Sequence, residues 1–402
     1  MTLVYGILIF LIYAAIAIGL VPRLRMSRAT IALSGAALLV VFGAISQEDA
    51  IHAIDVGTLL LLGAMMVINA NLRLAGFFRT VTNQTLRLSR SPQVLLALII
   101  AASGLLSAIF LNDTICLMLT PLIVDVTLRL KRDPIPYLIG LATATNIGSV
   151  ATITGNPQNI IIGQASQIPY VTFLGYLAPV ALVGLVVCWV VIILLFRAEF
   201  RGQLPTIEFP PSRPYRPLFN RALVVVVGLM LAFLMGVPVI TAACAAAGLL
   251  LISRLRPRRL LALDWELLAF FAGLFAITGA IKATGIADLL FQAGEPLLLR
   301  GVPGLTLVTA ILSNLVSNVP AVLLLQTNIA ALGNQQQAWL TLAMASTLAG
   351  NFTLLGSAAT LIVAELADQQ GVDLNFGTFL RAGIPITLLT LGFGVVWLML
   401  VM

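Results

Sequence analysis

Apolar runs of about 20 residues, the length that crosses a bilayer core, recur along this chain. Short polar stretches cut into them in four places. The first half holds Asn112-Asp113-Thr114 and, about forty residues on, Thr154-Gly155-Asn156-Pro157-Gln158-Asn159. The second half holds Ser317-Asn318-Val319-Pro320 and then Gly356-Ser357-Ala358-Ala359-Thr360. In hydrocarbon an unsatisfied backbone group costs several kcal/mol. An interrupted helix therefore persists only inside protein or along a cavity. Whatever fold the chain adopts must bring these breaks together, away from lipid.

The composition agrees. Hydrophobic residues make up 60% of the 402 positions and charged residues 9%, against about 25% charged in a soluble domain. The alternating ten-residue segments of a β-barrel are absent. The class is an all-α polytopic membrane protein. No basic region precedes the first apolar run, from about Leu3 to Leu20, and no small-residue cleavage site follows it. It reads as a retained membrane helix and not a signal peptide. Cys116, Cys188 and Cys244 stand alone in apolar runs, without metal or redox spacing. A thiol can bind a soft metalloid, but a small apolar helix residue is the simpler reading. No metal site or cofactor is expected.

Punctuation divides the chain in two. Residues 1–196 hold a hairpin over about 94–130 and a broken helix over about 135–162. Residues 197–221 form a proline- and arginine-rich linker. Residues 222–402 repeat the plan, with a hairpin over about 303–330 and a broken helix over about 338–367. Offsets between matching residues drift slowly. Asp55 meets Asp264 at 209, Ser107 meets Ser313 and Asn112 meets Asn318 at 206, and Thr152 meets Thr353 and Gly155 meets Gly356 at 201. Each half supplies five crossing helices plus a hairpin and contains one discontinuous helix. An odd number of crossings inverts the second copy. In that arrangement 19 of the 22 Lys and Arg residues fall on one side, in loops 21–28, 72–92, 129–133, 197–221 and 254–259. Arg381 joins them, and only Lys282 and Arg300 lie opposite. The positive-inside rule makes that side cytoplasmic and puts both termini outside. The same clustering explains the +7 net charge without nucleic acid. Either a spanning or a re-entrant hairpin returns to its starting side. The tight tip, without Gly, Pro, Lys or Arg, favours one buried in protein.

Inverted repeats with helices interrupted at the midplane are the plan of many secondary transporters. The candidate substrate site comprises Asn112, Thr114, Thr154, Gly155, Asn156 and Asn159 from the first half. Ser317, Asn318, Gly356, Ser357 and Thr360 come from the second. Opened helix N-termini would offer N–H groups and the positive end of a dipole. Small polar residues also mediate helix packing, but their recurrence in four related places points to a site. Asp113 is a carboxylate at membrane depth, a costly and usually functional placement. It has no basic residue in its own tip and is the candidate proton carrier. Its counterpart is Val319, so the acid is used once. Asp125 is a second coupling candidate, or simply the partner of Arg129 one turn on. Glu365 is either a solvated helix end or a coupling group. No Lys or Arg falls inside the breaks, which argues for a neutral, hydroxyl-rich substrate or an anion moved with a neutralising cation. No GxxxxGK[ST] loop is present, so this chain does not use ATP directly. His52 is far from every break and only one acid is central, so an intramembrane enzyme is not expected. A channel stays open.

Several segments resemble the ion transporter superfamily, and most closely its arsenite permease branch. They are Asn112-Asp113 with Leu119-Thr120-Pro121-Leu122-Ile123, and Ala144-Thr145-Asn146-Ile147-Gly148. Asn318-Val319-Pro320-Ala321-Val322-Leu323, Gly356-Ser357-Ala358-Ala359-Thr360-Leu361, Ala75-Gly76-Phe77-Phe78 and Thr284-Gly285-Ile286-Ala287 also fit. The resemblance implies elevator-like alternating access by a secondary transporter in the cytoplasmic (inner) membrane. It implies arsenite or antimonite efflux, a proton or sodium ion as coupling partner, and a homodimer. That branch is the membrane subunit of arsenical pumps, which implies a soluble pump ATPase as partner. There are departures. The Gly-Asn-Pro-Gln-Asn run at 155–159 looks more like other anion-permease branches. The paired Ser-Asn-Thr tips of sodium-coupled dicarboxylate carriers are absent. A sodium-coupled anion carrier and a sodium/proton antiporter remain alternatives.

Overall fold

The structure is a computed structural model that describes residues 2–18, 27–205, 214–252, 263–286, 289, 292, 296–298 and 300–402. The arginines at 23, 25 and 254–259, and linker positions 206–213, lie outside the described residues. Among the described residues every regular element is a helix.

The chain opens with α1 (Thr2–Ile18), α2 (Arg28–Val41), the short α3 (Gln47–His52) and α4 (Val56–Ala75). The acidic residues Glu48 and Asp49 lie in the first turn of α3, which is capped by Ser46, whose hydroxyl accepts from the Asp49 N–H at 3.0 Å. The basic stretch after α4 is α5 (Phe77–Leu88), turned out of α4 at Gly76, where φ is +81°. Then come α6 (Pro92–Ile109) and α7 (Asn112–Arg129), the two arms of the first hairpin. The broken span is α8 (Pro134–Ser149) and α9 (Pro157–Ser166), and α10 (Tyr170–Leu195) follows. The linker proper is shorter than its composition suggests, because α11 (Arg216–Leu234) begins inside it.

The second half runs through α12 (Val239–Leu251) and α13 (Trp265–Ala283). Its hairpin is α14 (Val302–Val316) with α15 (Asn318–Leu325) and a 3-10 turn (Gln326–Ala331). The broken span is α16 (Gln335–Ala349) and α17 (Ala358–Asp368), and α18 (Phe376–Val401) closes the chain. Helices α4, α6, α10, α11, α13 and α18 are long and apolar enough to cross a membrane.

Local sequence sets these boundaries. Asp55 accepts from the Thr58 N–H at 3.0 Å to start α4, and Asp264 accepts from the Leu267 N–H at 3.1 Å to start α13. Ser91-Pro92, Asp133-Pro134 and Asn156-Pro157 each place a capping side chain before a proline at the first helical position. That arrangement starts a helix without wasting a donor.

Two packed groups result. In one, α2 lies against α13, and α4 against α11 and α12. In the other, both hairpins and both broken spans pack with α10 and α18. Inside this second group α6 crosses α8 where Gly104 meets Gly148. A Cβ on Gly148 would sit 2.1 Å from the Gly104 carbonyl oxygen. Backbone contact of this kind is how small residues drive helix association in lipid. On the linker side Arg132 donates to the carbonyls of Glu199, Arg201 and Gln203 at 2.9–3.1 Å and fastens the chain after α10 to the start of α8.

Candidate functional site

The first broken span shows how its residues work. Helix α8 ends at Ser149, and residues 150–156 run without regular structure before α9. Asn156 caps α9 by accepting from the Asn159 N–H at 2.8 Å. Asn159 turns back and donates to the carbonyls of Ser149 (3.0 Å) and Thr152 (2.9 Å). The Ser149 carbonyl is one that the end of α8 leaves without a helical partner, and the Thr152 carbonyl lies in the break itself. Gly155 is required by space: a Cβ there would lie 2.5 Å from the Ser149 oxygen and 2.9 Å from the Ser107 oxygen.

The first hairpin tip stops at this break. The Asn112 N–H donates to the Gly155 carbonyl at 2.9 Å. Helix α8 is about 24 Å long at 1.5 Å per residue, and α9 runs on beyond the contact. The hairpin tip thus meets the broken span at its interruption. At the second break Ser357 caps α17 by accepting from the Thr360 N–H at 3.1 Å. The Asn318 amide fits its surroundings with the nitrogen turned to the Ser346 and Gly356 carbonyls, both at 3.1 Å, an orientation chosen on the hydrogen-bond network.

The two breaks meet in one buried polar knot. Asn146 is its hub. Its oxygen accepts from Asn112 Nδ2 at 3.0 Å, and its nitrogen donates to Asn351 Oδ1 and Ser357 Oγ, both at 2.9 Å. In the other direction Asn156 Nδ2 donates to Thr347 Oγ1 at 3.2 Å, joined by Gln158 Nε2 at 3.1 Å. Asn351 Nδ2 closes the knot on the Thr143 carbonyl at 3.2 Å. Each cap thus reaches the helix before the other break: Asn156 to Thr347, and Ser357 to Asn146.

Of the residues expected at a site, Asn112, Thr154, Gly155, Asn156, Asn159, Asn318, Gly356, Ser357 and Thr360 are buried at or beside this knot. Asp113, Thr114 and Ser317 sit at the tips and are half-buried. The helix N-termini are not open as anticipated, because α9 and α17 carry their own caps. Buried atoms without a hydrogen-bond partner remain on Thr154 Oγ1, Asn159 Oδ1 and Asn69 Oδ1. Asn69 belongs to α4, in the other packed group, and donates to Thr114 Oγ1 at 3.1 Å.

Asp113 is less isolated than its own hairpin indicates. The charged groups whose fields reach it are Asp264 and Arg28, from the starts of α13 and α2. Asp125 pairs with Arg129 at 2.8 Å, both side chains about half exposed, and Glu365 is exposed. Cys116 lies 3.1 Å from Thr145 Oγ1, and Cys188 lies 3.1 Å from Thr143 Oγ1, so both buried thiols meet α8 hydroxyls. Among the described residues no group of three His, Cys, Asp or Glu side chains could hold a metal.

Sequence reasoning missed the chemistry of Asn146, Thr347, Asn351, Asn69 and Arg28. The signal for the first three was available. An amide or hydroxyl inside an apolar helix, a few residues before a break, has to find a partner across the interface.

With this geometry in place, comparison with known proteins is informative. A family model described as "Citrate transporter" (CitMHS) matches residues 8–349. The chain belongs to this family. Among its relatives, the silicon efflux transporter LSI3 of Oryza sativa subsp. japonica is 31% identical over 93% of both chains. A 46 kDa membrane protein of Mycobacterium leprae is 31% identical over 94% of both. A putative transporter arsB of Dictyostelium discoideum is 22% identical over 93% of this chain and 87% of its own. This family member is therefore a membrane transporter of the citrate transporter and arsB-like group.

Proposed function

We propose that the protein exports a small, uncharged, hydroxyl-rich metalloid solute by secondary transport, with arsenous or antimonous acid as the substrate class and silicic acid as its chemical neighbour. The observation that carries this reading is the make-up of the two breaks. They hold amides, hydroxyls and backbone groups, with one carboxylate and no Lys or Arg. Such a lining can exchange hydrogen bonds with the hydroxyls of an undissociated oxyacid one for one. It lacks the guanidinium or ammonium groups that a tricarboxylate needs, despite the name of the family model. LSI3 is named as a silicon efflux transporter, which supports the same substrate chemistry.

The two halves act as inverted repeats around this site. The reciprocal contacts Asn156–Thr347 and Ser357–Asn146 support this, because both residue pairs recur at the 201-residue offset that also relates Thr152 to Thr353. Substrate displaces bonds of the knot, and the hairpins with the broken spans move as one body against α4, α11, α12 and their neighbours. Asp113 carries the coupling proton. It is the one acid at a tip, and the charges of Arg28 and Asp264, on the side assigned to the cytoplasm, act on it.

The test is uptake into everted membrane vesicles of arsenite, antimonite, silicic acid, citrate and sodium, with and without a pH gradient. Saturable arsenite or silicic acid uptake that follows the pH gradient is expected. Saturable citrate uptake, or uptake that follows sodium alone, overturns the reading. Asp113→Asn should leave downhill flux but remove its dependence on the pH gradient. Full gradient dependence in that variant removes the coupling role from Asp113.

A further inference from the structure

A cavity of about 420 Å³ lies between α1 and the second hairpin, lined by none of the polar residues of the knot. Its walls include Ile9 and Phe10 of α1, Ile281 of α13, Leu305 and Val308 of α14, and Leu325 at the end of α15. That size falls in the range of small-molecule sites, yet the lining is almost wholly hydrocarbon. A polar solute gains nothing there. Phe10 and Ile311 stand at its edge with 70% and 53% of their surface exposed, so the cavity opens sideways where a membrane protein faces lipid tails.

One end is different. A smaller space of about 90 Å³ shares Leu298, Leu305 and Leu332 with the cavity and adds Asn334, Gln337 and Thr341. Next to it is Arg300, two residues beyond Leu298 and exposed. Lys282 follows the lining residue Ile281 and is exposed as well. Connectivity puts both at the end of the bundle where α13 stops and α14 begins. These are the two basic residues that break the charge asymmetry of the chain. The positive-inside rule gives no reason for them, whereas a bound anionic headgroup does.

We infer that this cavity with its basic mouth is a binding site for one anionic phospholipid. An acyl chain lies between α1 and α14, and the headgroup phosphate lies toward Arg300 and Lys282. A hydrocarbon-lined cavity with basic residues next to its lining in the chain offers the chemistry that an acyl chain and an acidic headgroup require. The occupant also has a consequence. It bridges α1 and the hairpin, whose tip contributes Ser317 and Asn318 to the candidate transport site, so the lipid biases how readily that hairpin moves. The site itself does not depend on which solute is carried.

The experiment uses the full-length protein in detergent, with thermal stability and native mass spectrometry as readouts. Phosphatidylglycerol, phosphatidylcholine and glycerol phosphate are added in separate arms. Phosphatidylglycerol should raise Tm by several degrees and remain bound in a one-to-one complex, phosphatidylcholine should do so less, and glycerol phosphate should do nothing. Arg300→Gln with Lys282→Gln should abolish the preference for phosphatidylglycerol. Val308→Trp, which fills the cavity, should abolish retention of either lipid, with a monodisperse elution profile confirming that the variant folds. Equal shifts from the two lipids, a shift from glycerol phosphate, or lipid retention unchanged in Val308→Trp each overturn the proposal. A misfolded Val308→Trp is replaced by Gly6→Leu, at a position that lines the same cavity and where a Cβ meets only the Ile286 side chain, at 3.9 Å, and is judged by the same criterion.

Discussion

The two hairpin tips occupy related places and are built differently. The first turns at Leu111 in an ordinary extended conformation (φ −58°, ψ 125°) and is pinned by the Asn112 N–H to the Gly155 carbonyl. Its returning arm, α7, is 18 residues long. The second turns at Ser317 with φ +77° and ψ 160°, a region that side chains other than glycine avoid, and Ser317 makes no capping hydrogen bond. Its returning arm is an eight-residue helix that decays into a 3-10 turn. The first tip is a finished joint, and the second holds backbone strain of about 1–3 kcal/mol. The contrast is between a tip with an ordinary turn held by a backbone hydrogen bond and a tip that holds its turn under strain.

The largest test of that contrast compares the two break glycines. Gly155→Ala forces a methyl against backbone atoms, the Ser149 oxygen at 2.5 Å and its Cα at 2.7 Å. Gly356→Ala also meets backbone, the Gly350 oxygen at 2.8 Å and the Thr353 oxygen at 3.1 Å, but each contact is looser than those at Gly155. Gly155→Ala should abolish transport and lower Tm sharply, and Gly356→Ala should lower both only partly. Equal losses in paired Tm and vesicle-transport measurements would break the comparison.

Next is the hub. Asn146→Ala strands Asn112 Nδ2 and Asn351 Oδ1, each buried group at a cost of about 1–3 kcal/mol, and takes one of its partners from Ser357 Oγ. Asn351→Ala leaves the Thr143 carbonyl and Asn146 Nδ2 short of one partner each, and Asn146 keeps Ser357. Denaturation should therefore show the larger loss for Asn146→Ala.

Smaller and opposite in sign is Ser317→Gly, which releases the strain. It should stabilise the protein by about 1 kcal/mol while altering transport rate, since the energy gap between hairpin conformations changes. A destabilised Ser317→Gly would mean that the serine hydroxyl, and not the backbone, is what the tip needs. The smallest effect belongs to Asp125→Asn. Its exposed pair with Arg129 contributes about 0.3–0.5 kcal/mol, so stability and pH dependence of transport should both stay near wild type. A large change in pH dependence would move coupling away from Asp113.

Much of the fold was legible because lipid leaves few options. Asn156-Pro157 and Asp133-Pro134 announce helix starts wherever they occur, and Arg129 one turn after Asp125 announces an ion pair. The tips and breaks were legible as polar groups that hydrocarbon does not tolerate. What they would touch was not. Asn146 lies inside an apolar helix and looks like a packing residue, and only the crossing of α8 with α16 and α17 makes it the hub. Arg28 lies 85 positions before Asp113, in a different packed group, and nothing local connects them. The helix N-termini looked open because the sequence shows where a helix starts and not which side chain folds back to cap it.

By itself, then, the sequence determined that this chain is helical, embedded in a membrane and broken at four places that must be shielded from lipid. The physical reason is that backbone hydrogen bonds in hydrocarbon have no solvent to fall back on. Only the tertiary structure decided that the breaks neutralise each other's polar groups in one knot, that the two tips differ in strain, and that an apolar cavity lies between α1 and the second hairpin. Those features depend on distances between segments hundreds of residues apart, which close packing sets and local sequence does not encode.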